Sequence, residues 1–220
     1  SASTADLIRS LKAPSVPGSI GITRFISQIL RRGRPFRVKT KSRKPAGNRK
    51  ISSQRGKEIG RYTDILFQRA CAGKVKLDPS KNIKHKRCFD VFKILKKMGL
   101  IPICTQKTVI MGQEFKLKTQ LDGVALKGET LCVLELKCSQ FTMAEHKERY
   151  ALPAIGNTTL ANKAPNTEQT AHQLQLCFGV LGLRHLLAEA APEIRTTGCL
   201  IMSCADGALS YPINSLFLSP

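Results

Sequence analysis

Three ionisable residues stand out for their spacing. Asp122 precedes a glycine in LDGV, and thirteen residues further on Glu135 and Lys137 flank Leu136 in LELKCS. The stretch from Thr119 to Ser139 reads as two strands joined by a short turn near Lys127 and Gly128. Successive side chains of a strand point to opposite faces. Glu135 and Lys137 therefore share one face, and Leu134, Leu136 and Cys138 share the other. Two carboxylates and one ammonium meet on an otherwise apolar hairpin. Burying charge costs several kcal/mol unless it is paired or bound to metal. A divalent cation is the simplest compensation. Hard Mg²⁺ takes carboxylate and carbonyl oxygens and keeps several waters. Asp122, Glu135 and the backbone carbonyl of Leu136 can supply such a shell. The chemistry this set suits is phosphodiester hydrolysis, which needs charge stabilisation at phosphorus, a bound water of lowered pKa and a group to orient that water. Lys137 is the orienting group. The bland alternative is a salt-bridged strand pair.

Two helices must bring further groups to this hairpin. Residues 53–72 have a helical apolar stripe of Ile59, Tyr62, Ile65, Leu66 and Ala70. Gly56, Gly60 and Asp64 recur every four residues along one face. Glycine inside a helix costs roughly 1 kcal/mol, so close packing or ligand approach is implied there. Asp64 is the first-helix acid of choice, with Glu58 the weaker candidate. A long helix follows the cap at Asn166 or Thr167 and carries Gln173 and Gln175. Either amide can hold the water or a phosphate oxygen, and Gln173 is favoured. His172 reads as a helix-surface residue, and His85 and His146 earn no role.

The remaining elements follow from periodicity and punctuation. Residues 1–18 are rich in Ser, Ala and Pro and read as a disordered lead or the trimmed end of a mitochondrial targeting segment. Ile22, Phe25, Ile26, Ile29 and Leu30 fall at helical spacing. Residues 31–50 are a basic arm broken by Pro and Gly. Residues 73–87 read as a basic loop, and 88–98 as a second helix with Phe89, Phe92, Leu95 and Met98 inward. Strands are expected at 101–111, 115–126, 131–138, 196–205 and 208–213, the last two joined through the Asp206–Gly207 turn signal. The expected division is an arm over 1–50 and one domain over 51–220.

The net charge of +21 is concentrated in the first 100 residues, which hold 26 Lys and Arg against five acids, while the rest holds ten of each. Nucleic acid is the partner that fits this asymmetry. Candidate phosphate contacts are Arg31, Arg32, Arg34, Arg37, Lys39, Lys41, Arg43, Lys44, Arg55, Lys84, Lys86 and Arg87. Aromatic residues make up only 5% and Trp is absent, so backbone contacts are expected to outweigh base stacking. No apolar run approaches the length of a membrane span. None of the eight cysteines forms a C-x-x-C pair, and buried free thiols in a reducing compartment are expected.

D-G followed by E-L-K resembles the PD-(D/E)-x-K nuclease superfamily. LDGV…LELKCS is especially similar to its lambda-exonuclease-like branch, and AHQLQL to the Q-x-Q helix of that branch. RecB-type nucleases and mitochondrial genome-maintenance exonucleases share the element order. Their first helix carries G-x-x-x-H, where IGRYTD here places Gly60 on the glycine and Asp64 on the histidine. The resemblance spans residues 54–214. It implies an α/β restriction-endonuclease-like core, a mixed sheet flanked by helices in the order α-β-β-β-α-β. It further implies an exonuclease acting on DNA with Mg²⁺ or Mn²⁺ held by Asp122, Glu135, the Leu136 carbonyl and Asp64. A structure-specific endonuclease, or a silent nuclease fold binding nucleic acid in a ribonucleoprotein, are the alternatives.

Overall fold

The computed structural model describes residues 3–33, 46–111, 116–156, 158–161 and 163–214, and within 46–53 the backbone alone. In chain order the elements are α1 (Thr4–Ser10), β1 (Ile20–Gly21), α2 (Ile22–Phe25) running into a π-helical turn (Ile26–Leu30), α3 (Ala46–Cys71), α4 (Ile83–Lys97), β2 (Ile101–Met111), β3 (Leu117–Lys127), β4 (Thr130–Cys138), α5 (Met143–Tyr150), α6 (Glu168–Leu187), β5 (Thr196–Ser203) and β6 (Ala208–Pro212). They form one mixed, open six-stranded sheet with helices on both faces. The expected hairpin is present, with β3 and β4 antiparallel and Gly128 turning at φ +57°. β4 then pairs parallel with β5, and β5 antiparallel with β6. Parallel neighbours need a long crossover, which α5 and α6 supply.

The strand alternation sorts the core into two layers. Leu131 and Val133 of β4 and Leu200 and Met202 of β5 pack with Leu176, Val180 and Leu183 of α6. Cys132, Leu134, Leu136, Cys199 and Ile201 pack with Phe67 of α3 and Cys88, Val91 and Leu95 of α4. By parity, Glu135 and Lys137 continue the α6 face. α6 lies close because Gly179 and Gly182 face the sheet, where an added Cβ would stand 2.9 Å from Leu121 and 2.6 Å from Val109.

Several sequence-based boundaries move. The segment expected as a partly disordered arm is folded onto the sheet over residues 3–33. Ile8 is fully buried, β1 pairs with β3, and Arg9 Nε donates to the Ile103 carbonyl at 3.0 Å. The apolar side chains of this short segment gain more from burial than a solvated lead would retain. α3 starts at Ala46 and so crosses the expected boundary at residue 50. α4 starts at Ile83 rather than Cys88, because the Asn82 carboxamide caps it by accepting from the amides of Lys84 and His85. Lys84, Lys86 and Arg87 are therefore helical. Tyr62, assigned to a buried stripe, is 46% exposed, with the Lys84 ammonium 3.7 Å above its ring. Phe89 is half-buried, and Val91 and Cys88 take the inward positions. All eight cysteines are free. No described helix is long and apolar enough to cross a membrane.

Candidate functional site

The sheet forks at Asp122. β2 occupies one edge of β3 along its length, from Leu117 to Leu126. On the opposite edge β4 pairs with Gly123–Lys127, and β1 pairs with Leu117 and Lys118. Among the described residues, 119–122 have no strand partner on that edge. A side chain fills the gap, since Asp122 Oδ2 accepts from the Leu136 amide at 2.7 Å. The carbonyl of Leu136 leaves β4 on the same side as its amide, towards the fork.

The facing of β3 also slips at this level. Leu121 packs towards Gly179 of α6, and Val124 belongs to the same layer. Gly123 instead faces Phe67, and Ala125 joins the α3–α4 layer. Asp122 sits at the slip and reaches sideways to β4. Across from it on β2, Gln106 has φ +55°, a conformation costing about 1–2 kcal/mol outside glycine. Such strain persists where surrounding structure over-determines it, and it concentrates at functional sites.

The charges gathered here perturb one another. Glu135 is 3% exposed, and its Oε1 lies 2.5 Å from the Lys137 ammonium. Burial, opposed by Lys137 and reinforced by Asp122, pushes the Glu135 carboxyl up to about 7. Burial and the neighbouring Asp122 push Asp64 up to about 7, against the pull of Lys137. Asp122 is raised by burial, partly offset by the Leu136 amide. Burial disfavours the Lys137 ammonium, but Glu135, Asp122 and Asp64 outweigh it and hold its pKa above the ordinary lysine value. One cation thus serves three carboxylates that are costly to ionise together.

A cleft of about 450 Å³ opens beside Asp64 and Lys137, bounded by α3, the end of β4 and the segment after it, α5 and the start of α6, while Asp122 and Glu135 lie behind its lining. Gly56, Gly60 and Asp64 line it from α3, as their shared helical face predicts, and Lys57 and Arg61 stand beside them. Lys137, Glu168 and His172 line the opposite side. Glu168 and His172 were missed from sequence. Their signal was a one-turn spacing immediately after the Thr167 cap, which puts both at the sheet's forked end. His172 is no surface histidine. Its Nδ1 lies 3.0 Å from the Tyr150 hydroxyl, and burial and the nearby Lys137 push its pKa down to about 3. Burial raises Glu168, while Arg31 and Arg149 pull it back. His146, given no role from sequence, is buried beside the cleft with Nε2 unpartnered among the described residues.

Other expected site residues lie elsewhere. Gln173 is 5% exposed and spends its amide on β6, donating to the Pro212 carbonyl at 3.1 Å and accepting from the Asn214 amide at 3.0 Å. Its role is to tie the sheet edge to α6, which corrects its assignment as a water-holding residue. Gln175 is half-buried and absent from the cleft lining, and Glu58 is exposed outside it. Among the basic residues, Arg55 and Arg32 are exposed. Arg31 Nε donates to Asn166 Oδ1 at 3.1 Å, and Lys86 pairs with Asp90 at 3.0 Å. Arg34, Arg37, Lys39, Lys41, Arg43 and Lys44 lie outside the described residues.

Arg87 is corrected outright. It is 3% exposed, and its Nη1 donates to the carbonyls of Ser139 at 2.8 Å and Ser203 at 3.4 Å, so it staples the ends of β4 and β5 and cannot touch a phosphate backbone. Replacing Arg87 with alanine is expected to cost about 2–3 kcal/mol in denaturant unfolding, from lost charged hydrogen bonds. If the chain binds nucleic acid, the change should leave the salt dependence of that binding unchanged. Replacing exposed Arg61 should show the reverse, with the log–log salt slope falling by about 0.9 per lost phosphate contact.

No protein-family model matches the chain, and no curated protein sequence is similar to it. What the coordinates define is an α/β protein with a mixed, open six-stranded sheet and an acid–lysine cluster at a fork in that sheet.

Proposed function

We propose that the protein is a metal-dependent nuclease that hydrolyses phosphodiester bonds in DNA from an end, on a restriction-endonuclease-like core. The observation that carries this reading is the convergence of Asp122, Glu135 and Lys137 at the fork, with Asp64 close enough to perturb them. Among the described residues no three His, Cys, Asp or Glu side chains form a ready-made metal cage. Mg²⁺ does not require one, since it is usually bound through one or two carboxylates and keeps its waters. The donor set fits a hard cation, because one buried carboxylate, Glu135, and two half-buried ones, Asp64 and Asp122, face a single ammonium. Asp122 and Glu135 would hold Mg²⁺ or Mn²⁺, with the Leu136 carbonyl and Asp64 nearby. The bound ion supplies charge stabilisation at phosphorus and a water of lowered pKa.

The chain's own groups do the rest. Lys137 stays an ammonium, so it orients the attacking water and neutralises a phosphate oxygen rather than taking a proton. The Tyr150 hydroxyl holds the His172 ring by Nδ1, which leaves Nε2 as the ring atom available to a phosphate oxygen. Lys57 and Arg61 on the cleft wall meet the strand's negative charge. The test is incubation with end-labelled single- and double-stranded DNA and RNA, with Mg²⁺ or with EDTA. Metal-dependent release of mononucleotides from DNA is expected. Internal fragments indicate an endonuclease. Binding without cleavage, unchanged in Glu135→Ala, overturns the assignment.

A further inference from the structure

The cleft carries a second assembly that phosphodiester hydrolysis alone does not require. Phe141 and Arg149 both line it, and the Arg149 guanidinium lies 4.1 Å from the centre of the Phe141 ring. Both side chains are half-buried. Charged arginines on surface helices ordinarily point to water. Here the cation lies over an aromatic ring in the lining of the cleft that holds Asp64 and Lys137.

The backbone under Phe141 is pinned on several sides. Its amide donates to Ser139 Oγ at 3.2 Å, and its carbonyl accepts from the Ala205 amide at 2.9 Å. The following turn is closed by the Thr142–Glu145 capping box, and the Met143 amide donates to Asp206 Oδ1 at 2.7 Å. The buried Arg87 guanidinium holds Ser139 itself. A loop fixed at this many points presents its ring in one position. Such preorganisation is what a binding surface needs and a passive connection does not.

The α3 wall combines two glycines with the side chains of Lys57, Arg61 and Asp64. Gly56 and Gly60 face the segment after β4, where a Cβ on Gly60 would meet Cys138 at 3.5 Å and one on Gly56 would meet Gln140 at 3.9 Å. The cleft as a whole holds about 450 Å³, at the small end of the roughly 300–1,000 Å³ of ligand pockets. A duplex, whose major groove alone is about 12 Å across, does not enter it. A single unstacked nucleotide does. Planar arginines and aromatic rings are the groups on which splayed bases stack, and stacking tolerates any sequence.

We propose that Phe141 and Arg149 form a base-stacking subsite, so that the cleft takes one unpaired nucleotide at a time and selects single-stranded or frayed ends over intact duplex. The inference rests on the nuclease reading of the same cleft. The base lies on the Phe141–Arg149 pair while the adjoining phosphate reaches Lys137 and His172. Gln140, exposed on the cleft rim, supplies an amide to the edge of the base.

The test is equilibrium binding in EDTA, where no cleavage is needed. The probes are oligodeoxynucleotides with a terminal 2-aminopurine, presented as a single strand, a blunt duplex and a duplex with a short unpaired tail. Quenching of the probe and at least ~10-fold tighter binding are expected for the single strand and the tail. Phe141→Leu, which keeps an apolar side chain without the ring, should lower single-strand affinity about tenfold, within the ~1–3 kcal/mol of one stacked base. Phe141→Tyr should restore it, and blunt-duplex affinity should not change in either variant. Equal affinity for the three probes, or a Phe141→Leu protein that quenches like the wild type, overturns the subsite. Failure to cleave in Mg²⁺ with stacking intact would instead overturn only the nuclease reading.

Discussion

Replacing Lys137 with alanine is expected to lower DNA turnover at least ~100-fold while leaving most of the salt-sensitive binding, which many cations share, in place. The size follows from the general worth of a positioned proton-transfer or charge-stabilising group, about 10²–10⁴-fold. The separation of turnover from binding follows from location. Lys137 pairs with Glu135 and lines the cleft, whereas the exposed basic residues Arg55, Lys57 and Arg61 lie along α3. Removing the ammonium also leaves Glu135 buried without its cation. That carboxyl already titrates near neutrality, so in the variant it stays protonated at higher pH, and the fold survives by neutralising the acid. The activity loss is thus separable from unfolding by a thermal melt on the same sample. Glu135→Ala should cost a similar factor and should also abolish any response to Mg²⁺. Full activity in either variant would remove this cluster as the catalytic centre.

Much of this arrangement was legible in the residues, and the parts that were not have identifiable causes. The hairpin was legible because the turn at Lys127 and Gly128 separates two apolar runs of strand length, and Glu135, Leu136, Lys137 and Cys138 alternate at the end of the second. The spacing of Gly56, Gly60 and Asp64 placed all three on one cleft wall, because helical geometry is rigid over two turns. Gln173 failed for a tertiary reason. Its register on α6 differs from that of His172 by about 100°, enough to point it at β6 instead of the cleft, and short polar motifs do not encode that rotation. Arg87 failed because a basic run was read as a solvated loop. The Asn82 cap turned that run into a helix with an inward face, and the inward guanidinium found two strand-end carbonyls. The fork itself has no local signature. It arises because β1, contributed from about a hundred residues earlier in the chain, takes the edge of β3 that β4 vacates. The Phe141–Arg149 stack was hidden for a related reason, since the two side chains belong to a turn and to the far end of α5.

The titration of the cluster has a consequence for stability that can be measured without any substrate. Asp64 and Glu135 are both raised to about 7 in the folded protein, from ordinary values of 3.8 and 4.5. In the pH window between those values and about 7 the folded state binds more protons than the unfolded chain, so unfolding releases them and stability falls as pH rises. The metal-free protein is therefore expected to melt at a lower temperature at pH 8 than at pH 5.5, with the change complete a little above pH 7. Divalent cation should reverse the loss only where the carboxylates are ionised. At a concentration 100 times its dissociation constant, Mg²⁺ or Mn²⁺ adds about 2.7 kcal/mol, roughly 5–10 °C in melting temperature for a chain of this size. At pH 5.5 protons occupy the same oxygens, and the metal-induced shift should nearly vanish. The high net charge of +21 adds its own pH dependence, which a matched Glu135→Gln protein subtracts, because that change removes one titrating group and leaves the surface untouched. In Glu135→Gln both the fall in stability between pH 5.5 and 8 and the metal-induced recovery should shrink together. A melting temperature that rises over this window relative to Glu135→Gln, or a metal shift of equal size at both pH values, would mean that the buried acids are not where the cation acts.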